Sequence, residues 1–183
     1  MRYNQIYFFV LLISLFAPET AKSQTEKDIY TSDDYIVWGK QELTWNDFKG
    51  PVLSKDFNGT YGGFSFHHND DGKWFAFAYF NKNRSWHNGE SDKVLIHEKY
   101  HFHIVEIHAR KLRKAIIENK WTMDSVQQIN YLVKNLLAES ASMQNLYDEE
   151  TEHSKNRAKQ KVWEAKIDDQ LNALKDYSSI IIN

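Results

Sequence analysis

The sequence predicts an α+β fold in which a small antiparallel β-sheet is followed by three long helices. Segments 60–68 and 73–80 are rich in aromatic residues and flank the turn-forming run Asn69-Asp70-Asp71-Gly72, a pattern typical of a β-hairpin. The second half of the chain instead carries apolar residues at helical spacing, in three successive stripes. A change from strand-like to helix-like patterning within one chain indicates a sheet with helices added after it.

The strands are predicted from short aromatic and β-branched runs. Residues 35–38 form one such run, and Gly62-Gly63 interrupts the run at 60–68. The strand at 73–80 alternates large and small residues, and Ala76 and Ala78 on one face would let another element pack closely. Before the hairpin, Thr44 or Asn46 could cap one helical turn that Gly50-Pro51 ends.

The first helix is predicted over about 91–119. Leu95, Phe102, Ala109 and Ile116 recur in it every seven residues and form its core-facing stripe. Thr122 can cap the second helix, and a third spans about 155–176, while a short strand can follow at 180–182. These elements make one domain, residues 24–183.

The N-terminal residues 1–23 are typical of a signal peptide. Arg2 is followed by an apolar run at 6–16, and Ala21-Lys22-Ser23 offers small residues where a signal peptidase cleaves. The apolar run is about half as long as a bilayer span. We therefore expect a mature chain that starts near Gln24, is secreted or periplasmic, and has no stable membrane anchor.

Composition narrows the class of function. A net charge of −2 and the lack of a long basic run give no reason to expect nucleic-acid binding. The chain has no cysteine, which excludes disulfides, thiolate metal ligands and a cysteine nucleophile. A zinc site in this chain must therefore use histidine and carboxylate ligands.

The first helix contains the motif His97-Glu98-Lys99-Tyr100-His101. Residues four apart in a helix lie on one face, so His97 and His101 can bind the same ion. Glu98 follows the first ligand and can reach a water on that ion, as the general base does in His-Glu-x-x-His zinc peptidases. The alternative is a buried helix whose histidines are only hydrogen-bonded.

A catalytic zinc ion usually has a third protein ligand. His103 and His108 are poorly placed, since one projects to nearly the opposite side from His101 and the other lies about 10 Å along the axis. The end of the second helix offers further candidates, and spacing alone leaves four of them open: Glu139, Asp148, Glu150 and His153.

The chain resembles the predicted secreted zinc-dependent proteases of bacterial domain of unknown function 922. Three pieces carry the resemblance: Leu43-Thr-Trp-Asn-Asp-Phe-Lys-Gly50, His97-Glu98-x-x-His101-Phe102 and Tyr147-Asp148-x-x-Thr151-x-His153. It covers most of the mature chain and implies a zincin-like fold with His153 as the third zinc ligand. The chain departs from the family pattern at Lys99-Tyr100, where the family has Gln-Gly, and at Ser154, where it usually has Gly.

The predicted activity is zinc-dependent hydrolysis of a peptide or protein substrate. Zinc would activate a water, and Glu98 would take the water proton and pass it to the leaving amine. Tyr147 could donate to the oxyanion, although its position also fits a core aromatic, and Asp148 and Thr151 could orient a ligand histidine.

In zincins an edge strand precedes the metal helix, and the strand at 73–80 holds that position here. An extended peptide could add to its exposed edge.

Two alternatives remain at the level of sequence. One is a secreted binding module, or a protease-like protein without activity, whose zinc site does no chemistry. The other is a metal-free helical domain with buried histidines. Metal analysis separates the second from the first, and a Glu98 substitution separates an enzyme from a binding module.

Overall fold

The fold is described from a computed structural model, which covers residues 32–54, 58–68, 73–89 and 91–182. The predicted signal peptide lies outside these residues, as does the predicted turn at 69–72.

The described residues form a small sheet and three long helices, as the sequence predicts. In chain order the elements are β1 (Tyr35–Val37), β2 (Gly62–His68), β3 (Trp74–Asn81), α1 (Asp92–Glu118), α2 (Val126–Thr151), α3 (Arg157–Ala173) and β4 (Ile181–Ile182). Short 3-10 turns lie at Trp45–Asp47, Met123–Ser125 and Lys175–Tyr177. The α+β class is confirmed, and so is the short strand in the C-terminal tail.

The sheet is built around β3. It pairs with β2 as an antiparallel hairpin, in register from Gly62 opposite Phe80 to His68 opposite Trp74. Both β1 and β4 pair with the other side of β3, so β3 is the central strand and β2 forms an edge. The prediction that segment 73–80 is an exposed edge is therefore wrong.

The central position of β3 agrees with its deep burial and follows from the strands that pair with both of its edges. Phe77 and Ala78 are adjacent and point to opposite faces of the sheet, yet both are fully buried. A strand buried on both faces fits the middle of a sheet. The strands that pair with the second edge of β3 are β1 and β4. Both are distant from β3 in sequence, and local patterning does not reveal such long-range pairs.

The two glycines of β2 lie within the strand and do not interrupt it. A Cβ atom at Gly62 would lie 2.5 Å from the backbone oxygen of Tyr79, which is shorter than any ordinary contact. The close approach of β2 to β3 therefore requires glycine at this position.

One face of the sheet packs on α1. Ala76 and Ala78 are fully buried there in a core that includes Phe102, Val105 and Ala109 of α1. These small strand residues allow the helix to lie close to the sheet, as expected from the sequence. A second cluster, with Ile104, Ile107, Tyr147, Trp163 and Ile167, joins α1 to α2 and α3.

A buried ionic network fixes α1 to the sheet and the tail. Glu106 accepts hydrogen bonds from Arg110 and Arg113, and Arg113 also donates to the backbone oxygens of Ala76 and Tyr177, at 2.8 and 2.6 Å. Because each charged group has an opposite charge and hydrogen bonds, the network can exist inside the core. It holds α1 in a fixed position relative to β3.

None of the described helices is both long enough and apolar enough to cross a membrane.

Candidate metal centre

Helix α1 brings the two motif histidines together. His97 and His101 are four residues apart and both are buried, with their Nε2 atoms 3.2 Å apart. Their rings face α2, which runs back alongside α1. This arrangement confirms that the His-Glu-x-x-His spacing places both imidazoles on one face of the helix.

Asp148 of α2 completes a group of three. Its Oδ1 atom lies 3.0 Å from Nε2 of His97 and 3.0 Å from Nε2 of His101. Among the described residues, His97, His101 and Asp148 form a buried group whose ligand atoms all lie within 4.8 Å of one another. The group could hold a metal ion.

Two glutamines orient the histidine rings. Nδ1 of His97 lies 3.1 Å from Oε1 of Gln160, and Nδ1 of His101 hydrogen-bonds to Oε1 of Gln144. An amide oxygen only accepts, so each Nδ1 must carry the hydrogen. The Nε2 atoms then present lone pairs to each other and to Asp148, which is the tautomer that a metal ligand needs.

The orientation of both glutamines is itself fixed. Nε2 of Gln144 donates to the backbone oxygen of His101 at 2.9 Å, and Nε2 of Gln160 donates to the hydroxyl of Tyr147 at 2.7 Å. Each amide therefore has its nitrogen engaged elsewhere and its oxygen turned to a histidine. The tautomers follow from these bonds.

The electrostatics of the group require a positive charge at its centre. Two imidazole lone pairs and a carboxylate oxygen face one another, and none of these atoms can donate. Burial lowers the pKa of His101, but the charge and hydrogen bond of Asp148 outweigh it and raise the pKa to about 9. Burial raises the pKa of Asp148, yet its contacts with His101, His153 and His97 hold it far below its usual range. Either a proton or a metal cation can supply this charge.

Asp148 has further capacity to bind. Its second oxygen, Oδ2, is buried and has no hydrogen-bond partner among the described residues. Buried carboxylate oxygens without a partner are rare, because desolvation is costly. A cation bound at this carboxylate would offset that cost.

Glu98 lies beside this group and is also buried. Its Oε2 accepts a hydrogen bond of 2.6 Å from Oγ1 of Thr60, which precedes β2. Its negative charge contributes to the raised pKa of His101. A carboxylate has about four lone-pair positions, so this bond leaves Glu98 able to accept from a water.

Tyr147 is fully buried and packs against the His97 side of the centre. Its ring stacks on that of His97, with centroids 4.5 Å apart, and its hydroxyl contacts the backbone oxygen of His97 at 3.2 Å as well as Gln160. These contacts favour the core-aromatic alternative. The role of Tyr147 as an oxyanion donor stays a prediction.

His153 lies next to Asp148, just after the end of α2. Its Nδ1 is 3.5 Å from Oδ1 of Asp148, and about a third of its side chain is exposed. The chain turns here through three consecutive residues with left-handed φ angles of 51°, 50° and 73°, at Glu152, His153 and Ser154. A left-handed φ favours glycine, so Ser154 is in a backbone conformation that its side chain makes less favourable.

The remaining candidate ligands lie elsewhere. Glu139 pairs with Lys111 at 3.0 Å, and Glu150 accepts from Trp163 and Lys159. Neither belongs to the group of ligand atoms.

His103 and His108, which the helix geometry disfavours as ligands, also lie outside the group of ligand atoms. His108 bonds to the backbone oxygen of Ile104, and the ring of His103 packs against Trp38.

Thr151 and Tyr100 also have structural partners. Thr151 donates to the backbone oxygen of Tyr147 in its own helix at 2.6 Å. Tyr100 donates to Asp168 of α3 at 3.0 Å. The Tyr100 side chain is therefore directed to α3.

Sequence reasoning missed Gln144, Gln160 and Thr60. A signal for Gln144 was present, because Ser140, Gln144 and Asp148 recur every four residues on a helix face that also carries the buried Tyr147. Polar residues at buried positions of a core-facing stripe indicate a site. Gln160 and Thr60 reach the centre through tertiary packing, and no local pattern marks them.

Comparison of the chain with protein-family models, with curated proteins and with solved structures found no match. The arrangement of its own side chains is therefore the basis for assigning a function. That arrangement defines a buried His-His-Asp group suited to a metal ion, with a glutamate beside it.

Proposed function

We propose that this chain is a secreted zinc-dependent peptidase with a zincin-like centre. The observation that carries the proposal is the convergence of three acceptor atoms, from His97, His101 and Asp148, with both histidine tautomers fixed by buried amides. The resemblance of the three sequence pieces to predicted secreted zinc proteases supports the same function.

The three atoms that would bind the metal, from His97, His101 and Asp148, suit zinc in type and spacing. Zinc accepts histidine nitrogen and carboxylate oxygen at about 2.0–2.2 Å in tetrahedral sites, which places neighbouring donors about 3.3 Å apart. The three separations here are 3.0, 3.0 and 3.2 Å. Three protein ligands leave the fourth position open, as a catalytic zinc ion requires.

We assign the third ligand to Asp148, because its Oδ1 lies within the group. His153, which the resemblance implies, then borders Asp148 and can donate to it, and the prediction that His153 is itself the ligand is tested in parallel. Both assignments share His97 and His101.

In the proposed mechanism, His97, His101 and Asp148 would hold the zinc ion, which would supply a water of lowered pKa and Lewis-acid polarisation of the peptide carbonyl. Glu98, held by Thr60, takes the proton of the attacking water and delivers it to the leaving amine. Gln144 and Gln160 keep the imidazoles in their ligand tautomers, and Tyr147 keeps Gln160 in its orientation.

The experiment compares wild type with Glu98→Gln at matched zinc loading, using an unfolded protein or a peptide library. We expect Glu98→Gln to keep its fold and zinc but to lose hydrolysis by about 100- to 10,000-fold, the usual contribution of a general base. Glu118→Gln, at the exposed end of α1, is the matched control and should remain active. A chelator should abolish the activity of both active forms.

Two results would contradict this function. If Glu98→Gln is as active as wild type, Glu98 is not the base. If wild type and Glu98→Gln both bind zinc and neither cleaves any substrate, a secreted zinc-binding module is the better description.

A further inference from the structure

A cavity lies beside the candidate metal centre, between the edge strand β2 and helices α1 and α2. Its walls are mostly apolar and include Gly63, Phe64, Phe102, Val105, Leu137 and Ser140. Its volume is about 40 Å³, more than the roughly 10–15 Å³ that a single water needs. The cavity can therefore hold a small or medium-sized side chain.

The cavity shares two residues with the centre. His101, whose Nε2 faces the metal position, forms part of its wall, and so does Gln144, which fixes that ring. Thr60 lines the cavity and also donates to Glu98. A group in the cavity would thus lie against the ring of His101 and against Thr60, which holds the proposed base.

The strand beside the cavity can hold a peptide backbone. Among the described residues, β2 pairs with β3 on one side and has no strand on the other. Gly62 and Gly63, which line the cavity, have no side chains to block an approaching chain. An extended peptide could add to this edge by main-chain hydrogen bonds, with alternate side chains directed towards the cavity.

We infer that the cavity is the binding site for an aliphatic side chain of the substrate, at a residue next to the hydrolysed bond. This inference rests on the proposed peptidase function. Apolar walls favour an aliphatic group by removing its surface from water. A charged side chain would be buried against mostly apolar walls, which is unfavourable. The limited volume disfavours aromatic side chains.

The test uses Ser140→Leu, which fills the cavity from α2, and Leu137→Ala, which enlarges it. Ser142→Leu is the matched control, since Ser142 is exposed on the same helix. The substrates are fluorogenic peptides that the wild type cleaves, varied at the residues flanking the cleaved bond to Ala, Leu, Phe or Asp. Zinc content and Tm are measured for each variant.

We expect wild type to prefer Ala or Leu over Phe and Asp at one flanking position. Ser140→Leu should lower kcat/KM for the Leu peptide by about tenfold or more relative to the Ala peptide, the usual effect of altering an apolar pocket. Leu137→Ala should raise the relative kcat/KM for the Phe peptide, and Ser142→Leu should leave the preference unchanged.

The outcomes separate this inference from the proposed function. If wild type cleaves peptides and neither cavity variant changes the preference, the cavity is not the side-chain site, while the peptidase function stands. A wild-type preference for Asp would also overturn the inference. If zinc-loaded wild type cleaves no peptide, both the function and the inference fail.

Discussion

At the scale of single residues, Asp148 is the side chain on which the centre depends most. Its Oδ1 contacts both motif histidines at 3.0 Å and His153 at 3.5 Å. The local sequence Tyr147-Asp148-Glu149-Glu150 does not distinguish it from its acidic neighbours. Only the rotation of α2 against α1 directs Asp148, and neither glutamate, to the histidines.

We expect Asp148→Ala to lose stoichiometric zinc binding as fully as His97→Ala does. His153→Ala should weaken zinc binding by about 10- to 100-fold, the usual effect of losing a group that contacts a ligand. Metal content and a competition titration with a chelating dye measure both, and His68→Ala, at the exposed end of β2, is the control. If His153→Ala loses zinc and Asp148→Ala retains it, His153 is the third ligand as the resemblance implies.

At the scale of elements, each helix contributes a different part of the centre. Helix α1 supplies the two histidines and Glu98, α2 supplies Asp148 and Gln144, and α3 supplies Gln160. The stripes of all three helices are visible in the sequence because burial of apolar residues follows the helical period. The angle at which the helices meet depends on tertiary packing, so Gln160 could not be linked to His97 from the sequence.

The contribution of α3 can be tested through Gln160→Leu, which removes the acceptor for Nδ1 of His97 with little change in size. The imidazole should then lose its fixed tautomer and orientation, and zinc affinity should fall by about 10- to 100-fold. The measurement is the competition titration, with Gln128→Leu on the exposed face of α2 as control. Unchanged affinity in a folded Gln160→Leu protein would show that α3 does not orient the ligand.

The sheet contains one feature that could be predicted from the sequence, the hairpin, and one that could not, the central position of β3. The hairpin was predictable because its turn residues and alternating strands are adjacent in sequence. The position of β3 was not, since Trp38 and Ile180 reach it from opposite ends of the chain, through backbone hydrogen bonds of 3.0 and 3.1 Å with Ala78 and Ala76. As a consequence, the edge available to a peptide belongs to β2.

At the scale of the whole molecule, the proposed metal binding is coupled to protonation of the buried centre. Without a bound cation the pKa of His101 is raised to about 9, because the contact with Asp148 outweighs burial. In the proposed zinc site the ion would have to displace this proton, so the proton would compete with zinc at every pH below that pKa. Apparent zinc affinity should therefore fall as pH falls.

The predicted slope is about tenfold in affinity per pH unit for one displaced proton, continuing up to about pH 9. If the ligand histidine had its ordinary pKa, the apparent zinc affinity would stop rising above about pH 7. Zinc titrations across this range, corrected for the protonation of the competing chelator, distinguish the two. A plateau that begins near pH 7 would contradict the raised pKa.

We propose that His97, His101 and Asp148 hold a zinc ion. The most direct measurement is the metal content of the wild-type protein, purified without chelator and analysed by mass spectrometry, followed by titration with zinc. The predicted result is about one zinc ion per chain, lost on substitution of His97 by alanine. A folded wild-type protein that contains no stoichiometric transition metal and takes up no added zinc would contradict the claim.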